Sequence, residues 1–289
     1  MSVYLLNEKE ISFPNPTLAE DNGLLAVGGD LSVDRLLLAY SYGIFPWYNP
    51  GEEILWWCPK ERFVILPDEI HVSRSMKKYM KKHQITLALN RDFRDTMHHC
   101  RIKREDAEGT WISDEMEEAY DRLFQEGFAV SVEAYEDGEL AGGLYGVAIG
   151  KCFFGESMFS EKENGSKAAL IVFAGFLQER GFRFIDCQFH TEHLESMGGR
   201  YISWEEYDQM LEEGTGRGDR GKIEEAIAPR ERVPCGGRGD RGRKQEAIAP
   251  WERVPCGGRG DRGRKQETIT PRKRVPCGTR GDRGRKRGD

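Results

Sequence analysis

No stretch of eighteen consecutive apolar residues occurs in the 289-residue chain, which excludes a helix spanning a membrane. Residues 1–10 lack a basic start followed by an apolar run, so an export signal is not expected and a cytoplasmic location is. None of the seven cysteines forms a CxxC pair; Cys58, Cys100, Cys152 and Cys187 are scattered, as reduced thiols are, and do not outline a disulfide frame. GxxxxGK[ST] is absent, and residues 1–214 contain no GxGxxG, so ATP and dinucleotides have no visible cradle there. Residues 215–289 hold one Trp and neither Tyr nor Phe, too little apolar surface to offset the entropy of ordering.

Charge divides the chain at the same place. Residues 1–214 carry 21 basic and 38 acidic side chains, whereas residues 215–289 carry 22 and 11. In the second segment Cys235, Cys256 and Cys277 recur every 21 residues inside near-copies of ERVPCGGRGDRGRKQ. No helical or alternating pattern lasts through a repeat, so 215–289 is expected to be a disordered, dispensable tail. Its RGD tripeptides follow from the repeat, and its positive charge would add at most weak, salt-sensitive affinity for RNA.

Residues 1–214 read as α+β. Glycines and prolines mark loops at Pro14–Pro16 and from Gly23 to Gly29, and Ser32 or Asp34 can cap a short helix carrying Leu36, Leu37, Leu38 and Tyr40. Trp47, Tyr48, Trp56 and Trp57 follow within eleven residues, either as the core of a small irregular domain or as a stacking platform for a base. Phe63–Leu66 reads as a strand and Ser73–Lys82 as a helix whose Arg74, Lys77, Lys78, Lys81 and Lys82 form a basic patch. Arg101, Lys103 and Arg104 form a second patch; on an acidic background, both are candidate phosphate footprints. Ser113 or Asp114 caps a helix ended by Gly127, and Ala129–Tyr135, Leu140–Ile149 and Cys152–Phe159 alternate as an antiparallel meander. An all-round apolar helix from about Ser166 to Glu179 and a strand Phe184–Gln188 complete the order.

Asp186 and Gln188 stand two apart on that last strand, so alternation places both side chains on one face, about 7 Å from each other. Glu156 sits in an equally apolar stretch, and a carboxylate there needs a partner because uncompensated burial is costly. Two acids and an amide on neighbouring strands suit proton handling, cation binding or a functionless buried network. Asp186, Cys187, His190 and His193 do not match a zinc spacing.

The motifs GLLAVGGDLS (Gly23–Ser32), GIFPW (Gly43–Trp47), ILWWCP (Ile54–Pro59), SRSMKK (Ser73–Lys78), GTWI (Gly109–Ile112), GESMFS (Gly155–Ser160) and IDCQ (Ile185–Gln188) together resemble the leucyl/phenylalanyl-tRNA–protein transferase family. They occur in the family's order across residues 1–214. The resemblance implies transfer of Leu or Phe, and less readily Met, from aminoacyl-tRNA to the N-terminal Arg or Lys of a protein, which is thereby marked for degradation by the N-degron pathway. It implies no cofactor or metal, a monomer, a small N-terminal domain over 1–62 and a GNAT-type, acyltransferase-like catalytic domain over 63–214. It further implies that Asp186 and Gln188 assist deprotonation of the acceptor amine, with Glu156 near the reacting ester. Trp47 and Trp111 would hold the terminal adenosine. Leu144, Phe153, Met158, Leu170, Phe173, Leu177 and Ile185 would line the aminoacyl pocket. Leu144, where some members have Met, and Ser-Met-Gly-Gly at 196–199 depart from the family pattern. An acetyl-CoA-dependent N-acetyltransferase of the same fold is a rival, but Glu163–Ala168 lacks the (R/Q)xxGx(G/A) pyrophosphate loop. A catalytically dead RNA-binding module is another, against which the intact Asp186, Gln188 and Glu156 argue.

Overall fold

The computed structural model describes residues 3–105 and 110–217, without the side chains of residues 104 and 105. The repeat segment, for which disorder is expected, lies outside the described residues, as does Gly109. The class is α+β. Near the N-terminus β1 (Tyr4–Leu6), β2 (Leu24–Gly28), β3 (Phe45–Pro46) and β4 (Leu55–Trp57) form a sheet in the order β1-β2-β4-β3. Gly23–Gly29, expected to be a loop, contains β2, which pairs parallel with β1 and antiparallel with β4. Pairing partners decide a short strand more than its own glycines do. Helix α1 (Val33–Ser41) follows, with the Ser32 hydroxyl accepting from the Arg35 N–H as its cap.

The larger sheet is built from β5 (Glu61–Ile65), β6 (Thr86–Leu89), β7 (Ala129–Glu136), β8 (Glu139–Ile149), β9 (Cys152–Ser160), β10 (Phe184–Gln188) and β11 (Arg200–Ser203). Their order is β11-β5-β10-β9-β8-β7-β6. The expected meander is β7–β9, and the expected division at 62/63 falls inside β5. Helices α2 (Arg74–Lys82), α3 (Phe93–Glu105), α4 (Asp114–Gln125), α5 (Gly165–Glu179), α6 (Glu192–Ser196) and α7 (Trp204–Thr215) complete the described part. Alternation along the strands feeds two cores. Phe153 and Ile185 join Met76, Met80, Leu170 and Phe173 of α2 and α5. Phe154 and Phe184 join Leu36, Tyr40, Tyr120 and Tyr207 of α1, α4 and α7, together with Trp56 of the smaller sheet. The four cysteines before the repeats are free.

Helix α7 ends later than the expected boundary at 214/215. Thr215 is buried and its hydroxyl donates to Leu211 O at 2.7 Å, while Arg217 pairs with Asp208, donates to Ser41 O at 3.2 Å and lies 4.7 Å from the Tyr42 ring. A chain ending at residue 217 should therefore keep wild-type turnover and melting temperature. One ending at Gly214 should lose about 1–2 kcal/mol, a drop of several degrees by calorimetry. On the transferase activity that the resemblance implies, loss of turnover in the 217-residue chain would contradict the dispensability of the tail.

Candidate functional site

Strands β9 and β10 pair in parallel over three positions, ending at Asp186 opposite Phe154, and then separate. Past that point β9 pairs with β8 and β10 with β5, so the sheet opens between Gly155–Met158 and Cys187–Phe189. A cavity of about 630 Å³ occupies the opening. Leu144, Phe153, Met158, Leu170 and Ile185 supply apolar wall, Trp47 and Trp111 border it, and Glu156 and Gln188 line it. Nine of the residues anticipated from the sequence thus meet in one space.

Three do not line it. Phe173 stands behind Phe153, with ring centroids 4.8 Å apart, and Leu177 lies fully in the core. An all-round apolar helix does not reveal in sequence which positions reach a cavity. Asp186, with 0 % exposure, is the third. The register slips by one residue between Asp186 and Gln188, and Gln188 has φ +57°. That bulge breaks the alternation behind the expected shared face, so Gln188 borders the cavity and Asp186 does not. Instead, Asp186 accepts from Arg62 at 3.0, 3.1 and 2.8 Å, from the Tyr207 hydroxyl at 2.7 Å and from the Gln188 backbone N–H at 2.9 Å.

Glu156 is placed by a second bulge, between Tyr145 and Gly146 of β8, where Glu156 is the unpaired residue of β9. Its Oε1 accepts from the Tyr40 hydroxyl at 2.7 Å and from Gln188 Nε2 at 3.3 Å, and its Oε2 from the Tyr120 hydroxyl at 3.1 Å. The two tyrosine hydroxyls also contact each other. These oxygens share three contacts and only two hydroxyl protons, so the ring of hydrogen bonds closes when the carboxyl carries the third. Burial raises the Glu156 pKa to about 7 against the lowering effect of the two tyrosines, with the Asp186 charge adding to the rise. A carboxyl balanced near neutrality can accept a proton and return it. The sequence assigns no role to Tyr40, Arg62, Tyr120 or Tyr207, because no local signal distinguishes their hydroxyls or guanidinium from core filling.

The remaining aromatics divide between the two expected roles. Trp56 is buried with its Nε1 donating to Gly28 O at 2.8 Å, and Tyr48 is also buried. Trp47 is 42 % exposed, its ring centroid 5.7 Å from Trp57 and 5.2 Å from Phe189. That open indole suits base stacking. On α2, Arg74, Lys77, Lys78, Lys81 and Lys82 are exposed and, among the described residues, unpaired, while Met76 and Met80 face the core. Tyr79 and His83 hold the end of that helix through Glu136, at 2.5 Å each. The second basic patch differs: Arg101 pairs with Asp114 and Glu117, and Lys103 with Glu161, so their charge is locally balanced. The side chain of Arg104 lies outside the described residues. Asp186, Cys187, His190 and His193 do not converge, since Asp186 is held by Arg62 and His190 pairs with Glu195 at 2.8 Å. The N-terminus of α5, where the rival acetyltransferase reading needs a pyrophosphate, is closed. Ser160 Oγ takes the Ser166 N–H, and a Cβ on Gly165 would come 1.8 Å from Ala141 O.

The family model described as leucyl/phenylalanyl-tRNA protein transferase matches residues 64–212, and the model of that family's N-terminal domain matches residues 29–60. Among curated proteins, the leucyl/phenylalanyl-tRNA–protein transferase of Desulfatibacillum aliphaticivorans is 53% identical over 223 residues, covering 75% of this chain and 95% of that protein. Those of Syntrophus aciditrophicus (strain SB) and Pseudomonas fluorescens (strain Pf0-1) are 53% and 48% identical, covering 70% and 71% of this chain and 85% and 92% of their own. A solved ribosomal-protein-alanine N-acetyltransferase from Brucella melitensis biovar Abortus 2308 matches at 19% identity and TM-score 0.26, over 35% of this chain and 76% of that one.

Glu156 supplies a test that needs no substrate. Its folded pKa is raised from 4.5 to about 7, so the folded state holds the proton more tightly than the unfolded chain does. The stability due to the protonated form is complete below about 4.5 and is lost as pH rises through about 7. Glu156→Gln removes this loss. Denaturant unfolding should show the variant gaining on wild type between pH 5 and pH 8, by up to about 3 kcal/mol. Parallel stability curves across that range would contradict the raised value.

Proposed function

The chain belongs to the leucyl/phenylalanyl-tRNA protein transferase family and is an aminoacyltransferase acting between aminoacyl-tRNA and protein; within that activity we propose Leu and Phe, and less readily Met, as the donors and the N-terminal Arg or Lys of a protein as the acceptor. The product would enter the N-degron pathway in the cytoplasm. One observation carries this reading: a single cavity joins an apolar wall of Leu144, Phe153, Met158, Leu170 and Ile185 to Glu156, Gln188 and two bordering indoles. A Leu or Phe side chain buried against that wall gains about 1.5–3 kcal/mol, which suits recognition of the donor by size and apolarity. Trp47 and Trp111 suit the terminal adenosine of the tRNA.

The amine of the acceptor attacks the ester carbonyl carbon. A C–N bond forms, and the ester C–O bond breaks with its electron pair leaving on the ribose oxygen. The attacking nitrogen loses a proton and the departing oxygen takes one. Gln188, with Nε2 given to Glu156, offers its Oε1 to the incoming N–H. Glu156, balanced near pH 7, holds the proton between the two events. The ester already carries the free energy of amide formation, so orientation is the main task, and proximity lowers that barrier by several kcal/mol. Glu156 reaches the cavity and Asp186 does not, so Glu156 is the acid that a cationic acceptor would meet there.

The reading is tested by transfer from Leu-, Phe- and Met-tRNA to a peptide beginning with Arg, followed by mass spectrometry. Addition of Leu and Phe, with less Met, is expected; acetylation from acetyl-CoA in place of aminoacylation would refute it. The patch on α2 gives a second test. Replacing Lys77, Lys78, Lys81 and Lys82 by Ala should raise KM for aminoacyl-tRNA while kcat changes less than about twofold, and the defect should shrink as salt rises. A salt-independent fall in kcat would make α2 a structural support instead.

A further inference from the structure

Arg62 is the second residue of β5 and has 0 % exposure, a place where an unpaired charge would be prohibitive. The rings of Phe45 and Tyr207 lie 4.8 and 4.7 Å from its guanidinium carbon, and Asp186 faces its Nε and Nη2. Burial disfavours its charge, yet Asp186 and the neighbouring Tyr207 and Cys58 more than offset this and raise its pKa overall. The capacity of the Asp186 carboxylate is taken up inside the protein: Oδ2 by Arg62 and the Tyr207 hydroxyl, Oδ1 by Arg62 and the Gln188 N–H. Of this set, Asp186, Arg62 and Tyr207 do not line the cavity, whereas Gln188 does. What Asp186 does reach is the backbone of Gln188, whose φ of +57° is a conformation that L side chains rarely adopt. From that conformation the Gln188 side chain meets Glu156.

We infer that Arg62 is a positioning residue for aminoacyl transfer: it orients Asp186, and Asp186 in turn holds the Gln188 backbone in the left-handed bend that aims its amide at Glu156. This rests on the reading that Gln188 receives the acceptor amine. It changes the part played by Asp186, whose charge is matched by Arg62 and is not left over for the ammonium that develops on the attacking nitrogen. Removing either member of the pair leaves a buried charge uncompensated and disturbs the bend. Neutralising both, with isosteric Asn for Asp186 and the shorter Gln for Arg62, whose amide nitrogen can take the place of Nε, leaves an uncharged hydrogen-bonded pair that can still hold it.

A double-mutant cycle on the full chain tests this, with wild type, Arg62→Gln, Asp186→Asn and the double variant assayed for transfer from Leu-tRNA to an Arg-starting peptide. Each single variant should lower kcat by at least about tenfold with KM for the donor within about twofold, and the double should recover about fivefold or more over the weaker single. Losses that multiply in the double would mean that the Asp186 charge acts on the substrate, and so would overturn the inference. A loss confined to KM would overturn it as well. Should Arg62→Gln fail to fold, Tyr207→Phe removes one hydrogen bond from the same carboxylate and should cost about threefold in kcat at unchanged donor KM; unchanged kcat would count against the inference. Gln188→Ala with wild-type kcat would contradict the reading underneath, independently of the outcome of the cycle.

Discussion

Two carboxyl groups stand where β9 and β10 part, Asp186 fully buried and Glu156 half-buried at the cavity wall, and each needs partners to stay there. Asp186 meets the Arg62 guanidinium, while Glu156 meets only neutral donors from Tyr40, Tyr120 and Gln188. The first arrangement is an ion pair built into the core. The second leaves a group whose charge is only marginally stable, with its pKa near 7. Gln188 connects them, donating its backbone N–H to Asp186 and its side-chain amide to Glu156. Gln188 thus links an acid held in an ion pair to a titrating one.

The sheet contributes by failing to continue. Parallel pairing of β9 with β10 ends after three positions, and both strands carry irregularities beside the gap. At Gly146 a Cβ would stand 2.1 Å from Phe154 O, so the bulge that frees Glu156 depends on the missing side chain. The cavity is therefore a property of pairing and register, and the apolar residues around it are the ordinary inward-facing positions of β8, β9, β10 and α5.

This explains what could be read in advance. Alternation placed the meander of β7, β8 and β9, and uniform apolarity placed α5; both found their boundaries within a residue or two. The same alternation failed at Gln188, because a bulge adds a residue that no period of two can announce. The cost of a carboxylate in an apolar strand singled out Glu156 and Asp186, with Gln188 beside them, and the motifs gave all three an expected role. Neither could show that Arg62 from β5, Tyr207 from α7 and the hydroxyls of Tyr40 and Tyr120 gather around them, since those contacts span 21 to 124 positions of sequence. The exposed basic residues of α2 and the paired Arg101 and Lys103 of α3 look alike in sequence, and only the positions of Glu161, Asp114 and Glu117 tell them apart.

The claim on which the chemistry turns is that Glu156 changes protonation near neutral pH before any substrate binds. Carbon-13 NMR of side-chain-labelled glutamate, assigned by comparison with Glu156→Gln, reads this directly as a titration of one carboxyl resonance. A midpoint of about 7 is expected for that resonance, well above the ordinary 4.5. A Glu156 signal that titrates near 4.5 would contradict it.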